Sequence, residues 1–190
     1  AETHELYDKV RGAGKRLRSD NTDAENTESY QSFVTDGFAW SQAGNQNASG
    51  RTYVAWNWLA GNGSSSSNTD GSITSTVSAN TTAGFSIVSY TGTGSGNPTV
   101  GHGLGAVPKM IILKPRSLSS SNWSVYHSSL GASKVTRLNN TGASFTGTAW
   151  NSTDPTSSVF TITTDYDTNQ SSATYIAYCF AEKKGYSKFG

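Results

Sequence analysis

Apolar and polar residues alternate with a period of two over much of the chain, and short continuous apolar runs interrupt the alternation. Gly, Asn, Asp, Ser and Pro bound these stretches, a combination typical of β-strands separated by turns. The stretch 3–17 is predicted to be extended, because Gly12 and Gly14 would each cost a helix about 1 kcal/mol relative to Ala. The predicted strands are 52–59, 72–78, 85–91, 109–114, 122–127, 134–138, 159–163 and 174–181.

Composition narrows the class of protein. Of the 190 residues, 34% are apolar and 14% charged, and 30 Ser and 24 Thr carry hydroxyls. This composition excludes a coiled coil, and no apolar run approaches the ~20 residues of a membrane-spanning helix. The 5 Trp, 9 Tyr and 7 Phe are too many for a disordered chain. We therefore expect an ordered all-β protein that does not insert into a membrane and, at a net charge of +1, does not bind nucleic acid.

Internal repetition is the most informative feature of the sequence. A shift of 122 residues aligns 52–59 with 174–181, so that Val54, Trp56 and Trp58 share one predicted core face with their counterparts. A shift of 119 matches the N-terminal segment, and a shift of 101 matches 185–190 with 84–89. The matched pairs include Phe38 and Phe160, Asn47 and Asn169, Tyr53 and Tyr175, Ala55 and Ala177, Tyr7 and Tyr126, Lys15 and Lys134, and Arg18 and Arg137.

The repetition predicts the domain organisation. Residues 1–61 form the second half of one unit, and 62–83 form a Ser/Thr-rich loop or linker with a connecting strand. Residues 84–184 form a complete unit, and 185–190 are the opening strand of another. We expect a piece of a longer protein, built as an antiparallel β-sandwich of jelly-roll or lectin-like type from tandem units of about 100 residues.

Aromatic residues beside turns are the candidate ligand-binding residues. Trp40, Trp123 and Trp150 each lie next to short polar side chains, and Tyr126 and His127 lie close to Trp123 in sequence. An exposed ring covers the apolar face of a sugar while hydroxyl and amide groups bind its polar edge. These five residues are therefore predicted to contact a glycan. The alternative is that the tryptophans fill the ends of the sandwich.

The sequence gives little support for a phosphate-binding, metal-binding or hydrolytic site. Gly101, Gly103 and Gly105 precede Pro108 and a β-branched run, which indicates a tight turn into a core strand rather than a phosphate cradle. The histidines have no metal-ligand spacing, so neither a metal site nor a cofactor is predicted. The oxygen-rich stretch 165–169 leaves a bound cation as an alternative. Glycoside hydrolysis would need two carboxylates from Asp154, Asp165, Asp167 and Glu182.

Three further residue types complete the prediction. The single cysteine, Cys179, excludes an internal disulfide, and its apolar neighbours predict burial in a strand. Asp165 and Asp167 are predicted to serve the turn before the strand 174–181. Basic residues near the start of the chain are predicted to be solvated charge. They are Lys9, Arg11, Lys15, Arg16 and Arg18.

Several segments resemble structural proteins of marine bacteriophages. They are GSITSTVSANTTAGFSIVSYTGTG (71–94), VGHGLG (100–105), PKMII (108–112), NWSVYH (122–127), YIAYCFAE (175–182) and GRTYVAW (50–56). The chain resembles, from about Leu6 to Gly190, repeat domains of tail-fibre and related virion proteins of phages that infect marine bacteria and cyanobacteria. The family carries no catalytic residues that transfer to this sequence.

The resemblance implies a non-catalytic β-sandwich module in a virion-borne extracellular fibre. Such fibres are often homotrimers that contact other virion proteins, and their distal domains bind host-surface glycans or proteins. Within this role the module is either a passive stalk element or the adhesin itself. Two alternatives stay open, namely a carbohydrate-binding module of a secreted protein and a polysaccharide-degrading tailspike enzyme.

Overall fold

The computed structural model describes residues 3–41, 44–61 and 64–190, and within these ranges it is almost entirely β. All pairs of named strands are antiparallel, which confirms the predicted all-β antiparallel class. In the described ranges the one short helix is α1 (Tyr166–Asn169). The strands are β1 (Glu5–Leu6), β2 (Lys15–Arg18), β3 (Asn26–Thr27), β4 (Gln31–Val34), β5 (Gly37–Trp40), β6 (Ser66–Asn68), β7 (Ser75–Asn80), β8 (Phe85–Thr91), β9 (Thr99–Gly101), β10 (Pro108–Pro115), β11 (Ser124–His127), β12 (Lys134–Arg137), β13 (Phe145–Thr146), β14 (Val159–Thr161) and β15 (Thr174–Ala181).

An eight-stranded sheet forms the body of the molecule, in the order β13-β12-β11-β10-β15-β8-β7-β6. The central strand β15 pairs with β10 on one side and with β8 on the other. The predicted bounds of β8 and β15 are confirmed residue for residue. The Ser-rich stretch 64–70, predicted as loop, instead contributes the edge strand β6, while residues 62 and 63 lie outside the described residues.

Both faces of the large sheet are covered. On one face, Tyr175, Ala177 and Cys179 of β15 belong to a core that includes Val100 of β9 and Phe160 of β14. The other face packs against the small sheet β1-β2-β3 through a second core, whose buried members are Leu17, Phe85, Ile87, Trp123, Ile176 and Tyr178. Burial on both faces explains why 175–180 reads as a continuous apolar run rather than an alternation. Each fully buried side chain stabilises the fold by roughly 1.5–3 kcal/mol.

The small sheet and the outer part of the large sheet share one register. β1 pairs with β2 through Glu5 and Arg18, and β11 pairs with β12 through Ser124 and Arg137, which lie 119 positions later. The same shift relates the β2–β3 pairs to the β12–β13 pairs. Side chains follow the backbone: Lys15 Nζ donates to Thr27 Oγ1 at 2.7 Å, and Lys134 Nζ donates to Thr146 Oγ1 at 2.9 Å.

The prediction of a strand at 52–59 is wrong. These residues form no strand, and Val54, Trp56 and Trp58 are 80%, 73% and 53% exposed instead of lying in a core. Their counterpart β15 is held by β8 and β10, and no strand of the described residues takes those places beside 52–59. Without neighbours to bond its N–H and C=O groups, a strand-forming sequence gains nothing from the sheet geometry.

Candidate functional site

Two of the three candidate tryptophans are buried. Trp123 lies in the core between the two sheets, where its Nε1 donates to the Arg18 carbonyl at 2.8 Å. Trp150 lies in the other core and packs edge-on against Tyr126 and Phe160, with ring centroids 6.0 and 6.4 Å away. Neither ring presents a face to a ligand, because each tryptophan is packed inside a core.

Tyr126 and His127 also have local structural partners. The Tyr126 hydroxyl donates to Asp154 Oδ1 at 3.1 Å, and burial together with that carboxylate raises the pKa of Tyr126. His127 is half-buried, and its Nδ1 accepts the Ser129 N–H at 3.3 Å. The candidate group therefore does not converge on one surface. Tyr126 belongs to the core beside Trp150, while the partners of His127 lie in the turn after β11.

Trp40 is the candidate tryptophan that keeps partial exposure. It ends β5, and its ring lies 5.3 Å from Tyr7 and 5.6 Å from Tyr30, centroid to centroid. The Tyr7 hydroxyl donates to a Glu5 carboxylate oxygen at 2.8 Å and lies 3.1 Å from a carboxylate oxygen of Glu28. Burial and these carboxylates raise the pKa of Tyr7. Trp40 thus forms one wall of a small aromatic and acidic patch on the β1-β2-β3 side of the molecule.

Three of the carboxylates named for hydrolysis are engaged in structural contacts. Asp165 caps α1 by accepting the Asp167 N–H at 2.9 Å, as its predicted turn role requires. Asp167 is buried, contacts Arg137 at 2.8 Å and accepts the Asn122 N–H at 2.9 Å. Asp154 accepts from Tyr126, as above, and from the Ala132 N–H at 3.2 Å. In the described ranges, no group of three or more His, Cys, Asp or Glu side chains is placed to hold a metal ion.

A buried ionic cluster ties the N-terminal segment to the large sheet. Arg11 contacts Asp8 and lies 3.3 Å from Glu25, whose carboxylate also bonds Arg116 at 2.9 Å. Burial alone would raise the pKa of Glu25, but the two guanidinium groups lower it. The expectation of solvated charge is therefore wrong for Arg11, which is buried, and Arg16, which pairs with Glu5 and Glu28. These charges are therefore engaged with one another.

Three exposed aromatic side chains, Tyr53, Trp56 and Trp58, lie together in sequence at 52–59. We call the group formed by Trp56, Trp58, Phe85, Phe180 and Phe189 the end cluster, since it lies where β8 begins and β15 ends. Trp58 lies 6.3 Å from Trp56 and 6.3 Å from Phe180, and Phe85 and Phe180 are 4.9 Å apart. The sequence placed these tryptophans in a core, so their exposure could not be foreseen from the pattern.

Local contacts hold the ends of this segment. The Tyr53 hydroxyl donates to the Asn45 carbonyl at 2.7 Å and accepts the Ala48 N–H at 2.8 Å. At the other end, Asn80 Nδ2 donates to the Leu59 carbonyl at 3.2 Å. Between them, no backbone N–H or C=O from 52 to 58 bonds another residue of the described ranges. The segment is thus an apolar stretch whose backbone groups have no partner among the described residues, a combination suited to recruiting another strand.

A separate polar groove lies near the turn that follows Trp150. Hydroxyl and amide side chains line it, and two of the residues, Asn151 and Ser152, adopt left-handed backbone angles with φ of 53° and 47°. Such angles are unusual outside glycine and are common where a loop is shaped for function. The lining residues are Asn97, Thr148, Asn151, Ser152, Thr163 and Thr164.

Comparisons with known proteins define the family but not its activity. Neither the curated proteins nor the solved structures gave a match to this chain. Among the described residues, no helix is long and apolar enough to cross a membrane. A family model described as "Domain of unknown function (DUF7483)" matches residues 1–190. The chain therefore belongs to the DUF7483 family of domains of unknown function.

Proposed function

We propose that this chain is a non-catalytic structural and adhesion module of a phage tail fibre or a related virion protein. The observation that carries the proposal is the common register of β1-β2-β3 and β11-β12-β13 at a shift of 119 residues. Tandem copies of one β module suit a protein that needs length and repeated contact surfaces, whereas an enzyme needs a single catalytic constellation. The sequence resemblance to phage fibre repeats supports the same role.

Side-chain chemistry supports the non-catalytic part of the proposal. Asp154, Asp165 and Asp167 are committed to internal hydrogen bonds and an ion pair. The exposed aromatic segment at 52–59 and the partly exposed Trp40 supply apolar contact area at the surface. In this role the module forms a homotrimer in the virion, contacts other virion proteins and presents its loops to a host-surface glycan or protein.

Two measurements test the role. Light scattering at two concentrations tests for a closed trimer, for which we expect three times the chain mass of 20.1 kDa at both. Flow cytometry of marine bacterial and cyanobacterial cells tests adhesion, with labelled chain compared against a labelled β-sandwich of similar size. We expect saturable binding to some strains. Monomeric mass together with no binding to any strain would reject the proposal, and release of reducing ends from polysaccharides would reject its non-catalytic part.

A second candidate function is carbohydrate binding as such, favoured by the polar groove near Trp150. Its amide and hydroxyl groups are the donors and acceptors that sugar hydroxyls bind. A glycan array probed with the wild-type chain and with Asn151→Ala tests it, with Asn140→Ala as a control in another exposed turn. Glycan signals lost only in Asn151→Ala support this site, whereas equal signals in both variants reject it.

A further inference from the structure

The aromatic segment 52–59 and the C-terminal segment 185–190 are counterparts of two strands that pair with each other in the large sheet. At a shift of 122, Thr52, Tyr53 and Ala55 match identical residues of β15. At a shift of 101, residues 185–190 (GYSKFG) match 84–89 (GFSIVS), which include most of β8. The backbone agrees with the second match, since Gly84 and Gly185 both have positive φ, 72° and 80°.

Neither segment has a strand partner of that kind in the described structure. Residues 52–58 make no backbone hydrogen bond to the described ranges. Residues 185–190 fold back in a turn whose one bridge joins Lys183 to Ser187. Tyr186 is 72% exposed, and Lys188 is exposed as well. Segments 52–59 and 185–190 therefore each match one member of a strand pair that β15 and β8 form in full.

The observed pairing of β15 with β8 fixes the register that the two halves would adopt. In β15–β8, Phe180 lies opposite Phe85, Cys179 opposite Ser86, and Tyr178 opposite Ile87. Moving each residue to its counterpart places Trp58 opposite Tyr186, Asn57 opposite Ser187, and Trp56 opposite Lys188. The counterpart of the Phe85–Phe180 ring contact, which is 4.9 Å from centroid to centroid, is then a contact between Trp58 and Tyr186. Such a contact is a favourable cross-strand pair.

We propose that residues 52–59 of one copy of this chain form an antiparallel strand with residues 185–190 of a second copy. The contact is head-to-tail, and three copies joined in this way form the closed ring that the proposed trimer requires. It supplies backbone partners for 54–59 and covers Val54 and Trp56, which are 80% and 73% exposed. The Lys183–Ser187 bridge opens in exchange. This inference rests on the repeated organisation within the proposed function and deepens it by naming how copies associate.

Disulfide trapping between two different chains tests the register. One full-length chain carries Asn57→Cys and the other carries Ser187→Cys, so an intramolecular bond between the new thiols is impossible. Native Cys179 is fully buried and stays inert. The matched control replaces Ser187→Cys by Lys188→Cys, since a slip of one residue moves a side chain to the opposite face of a strand. The readout is the rate at which a mixed dimer appears on a non-reducing gel, with one chain carrying a mass tag.

We expect the Ser187→Cys mixture to cross-link at least ten times faster than the Lys188→Cys mixture. Equal rates in the two mixtures would mean random collision, and no cross-link in either would mean no contact; both results overturn the proposal. A second variant, Val54→Lys with Trp56→Lys, is expected to fall to the monomer mass of 20.1 kDa in light scattering while its circular dichroism is unchanged. Association that survives in this folded variant also overturns the proposal.

The two proposals fail separately. Cell binding by the wild-type chain, measured as in the test above, is compared with the trapping result. If trapping fails while cells are still bound, the adhesion role stands and the self-association is rejected. If trapping succeeds and no strain is bound, the association stands and the adhesion role is rejected.

Discussion

Tyr178, in the central strand β15, donates its hydroxyl to Asp8 of the N-terminal segment at 2.6 Å, with both side chains buried. Asp8 also accepts the Arg11 backbone N–H at 2.9 Å and contacts the Arg11 guanidinium. Burial, with the neighbouring carboxylate, raises the pKa of Tyr178, so its hydroxyl stays protonated and keeps donating. This bond connects the part of the chain that forms β1-β2-β3 to the middle of the large sheet.

Removing the Tyr178 hydroxyl should lower the stability of the fold against global unfolding. Tyr178→Phe is expected to lower the free energy of unfolding by about 1–2 kcal/mol, since a buried hydrogen bond to a charged group is lost. Asp8→Ala should cost about 3–5 kcal/mol, because it leaves the buried Arg11 without its closest carboxylate. Urea unfolding followed by tryptophan fluorescence measures both. Tyr166→Phe is the control. Because Tyr166 is exposed, removing its hydroxyl should change the free energy of unfolding by no more than about 0.5 kcal/mol.

The two buried tryptophans offer a matched comparison. Trp123 Nε1 donates to the Arg18 carbonyl, whereas Trp150 Nε1 is buried without a hydrogen-bond partner among the described residues. Both side chains are essentially inaccessible, so replacement by Phe costs each a comparable loss of packing. Trp123→Phe should therefore be more destabilising than Trp150→Phe by about 1 kcal/mol, the value of the lost bond. Equal losses in urea unfolding would contradict this reading of the two sites.

Strands that are predictable from the sequence are those whose partners the chain itself supplies. β8 and β15 were predicted with correct bounds because each is an apolar run bounded by turn residues. The segment 52–59 has nearly the same pattern as β15 and is not a strand. A local pattern reports the tendency to pair, while the presence of β8 and β10 alongside is a property of the whole fold.

Site residues were less predictable for a related reason. Trp123 and Trp40 both lie beside turns, yet one is fully buried and the other is partly exposed. The partner that buries Trp123 includes Arg18, 105 positions away, and no local pattern reveals such a contact. The hairpin β4–β5 did have a local signal, because Asp36 in the two-residue turn between Val34 and Gly37 is a typical turn residue.

His102 is expected to make stability fall on acidification. Its Nε2–H donates a hydrogen bond to the Thr156 carbonyl at 3.2 Å, and its Nδ1 accepts the Leu104 N–H at 3.2 Å. This arrangement requires the neutral ring, and burial lowers the pKa of His102 below 6.5. The unfolded chain then binds more protons than the folded chain just below pH 6.5, so stability decreases as the pH falls through that range. Denaturation at pH 7 and pH 5 should show a smaller drop for His102→Gln than for the wild type; equal drops would assign the effect to other groups.

Lys114 is expected to make the free energy of unfolding depend on pH in the alkaline range. Its side chain is buried, and Nζ donates to the carbonyls of Ser121 at 2.6 Å and Thr22 at 3.3 Å. Burial lowers the pKa of Lys114 from 10.5 to about 8, although the charges of Asp167 and Asp23 oppose the shift. Between these values the unfolded chain binds the extra proton, so stability contributed by Lys114 rises with pH.

The expected size of the Lys114 effect is about 3 kcal/mol at most, since one pKa unit corresponds to about 1.4 kcal/mol. Urea unfolding of the wild type and of Lys114→Met, repeated from pH 7 to pH 10, measures it. Other groups titrate equally in both chains, so the difference between the two curves isolates Lys114. Parallel curves would show that the buried amine keeps an ordinary pKa.

Cys179 provides a chemical probe of opening at the centre of the sheet. The thiol is fully buried in β15, and burial raises its pKa to about 12, so the reactive thiolate is scarce at neutral pH. Labelling by a maleimide or a disulfide reagent should therefore be slow in buffer and become fast only above the urea midpoint. Tyr178→Phe and Asp8→Ala should speed up labelling in proportion to their loss of stability, because both release contacts across β15. Rapid labelling of the native wild type would mean that β15 opens without global unfolding, and that the sheet is held less tightly than its two cores indicate.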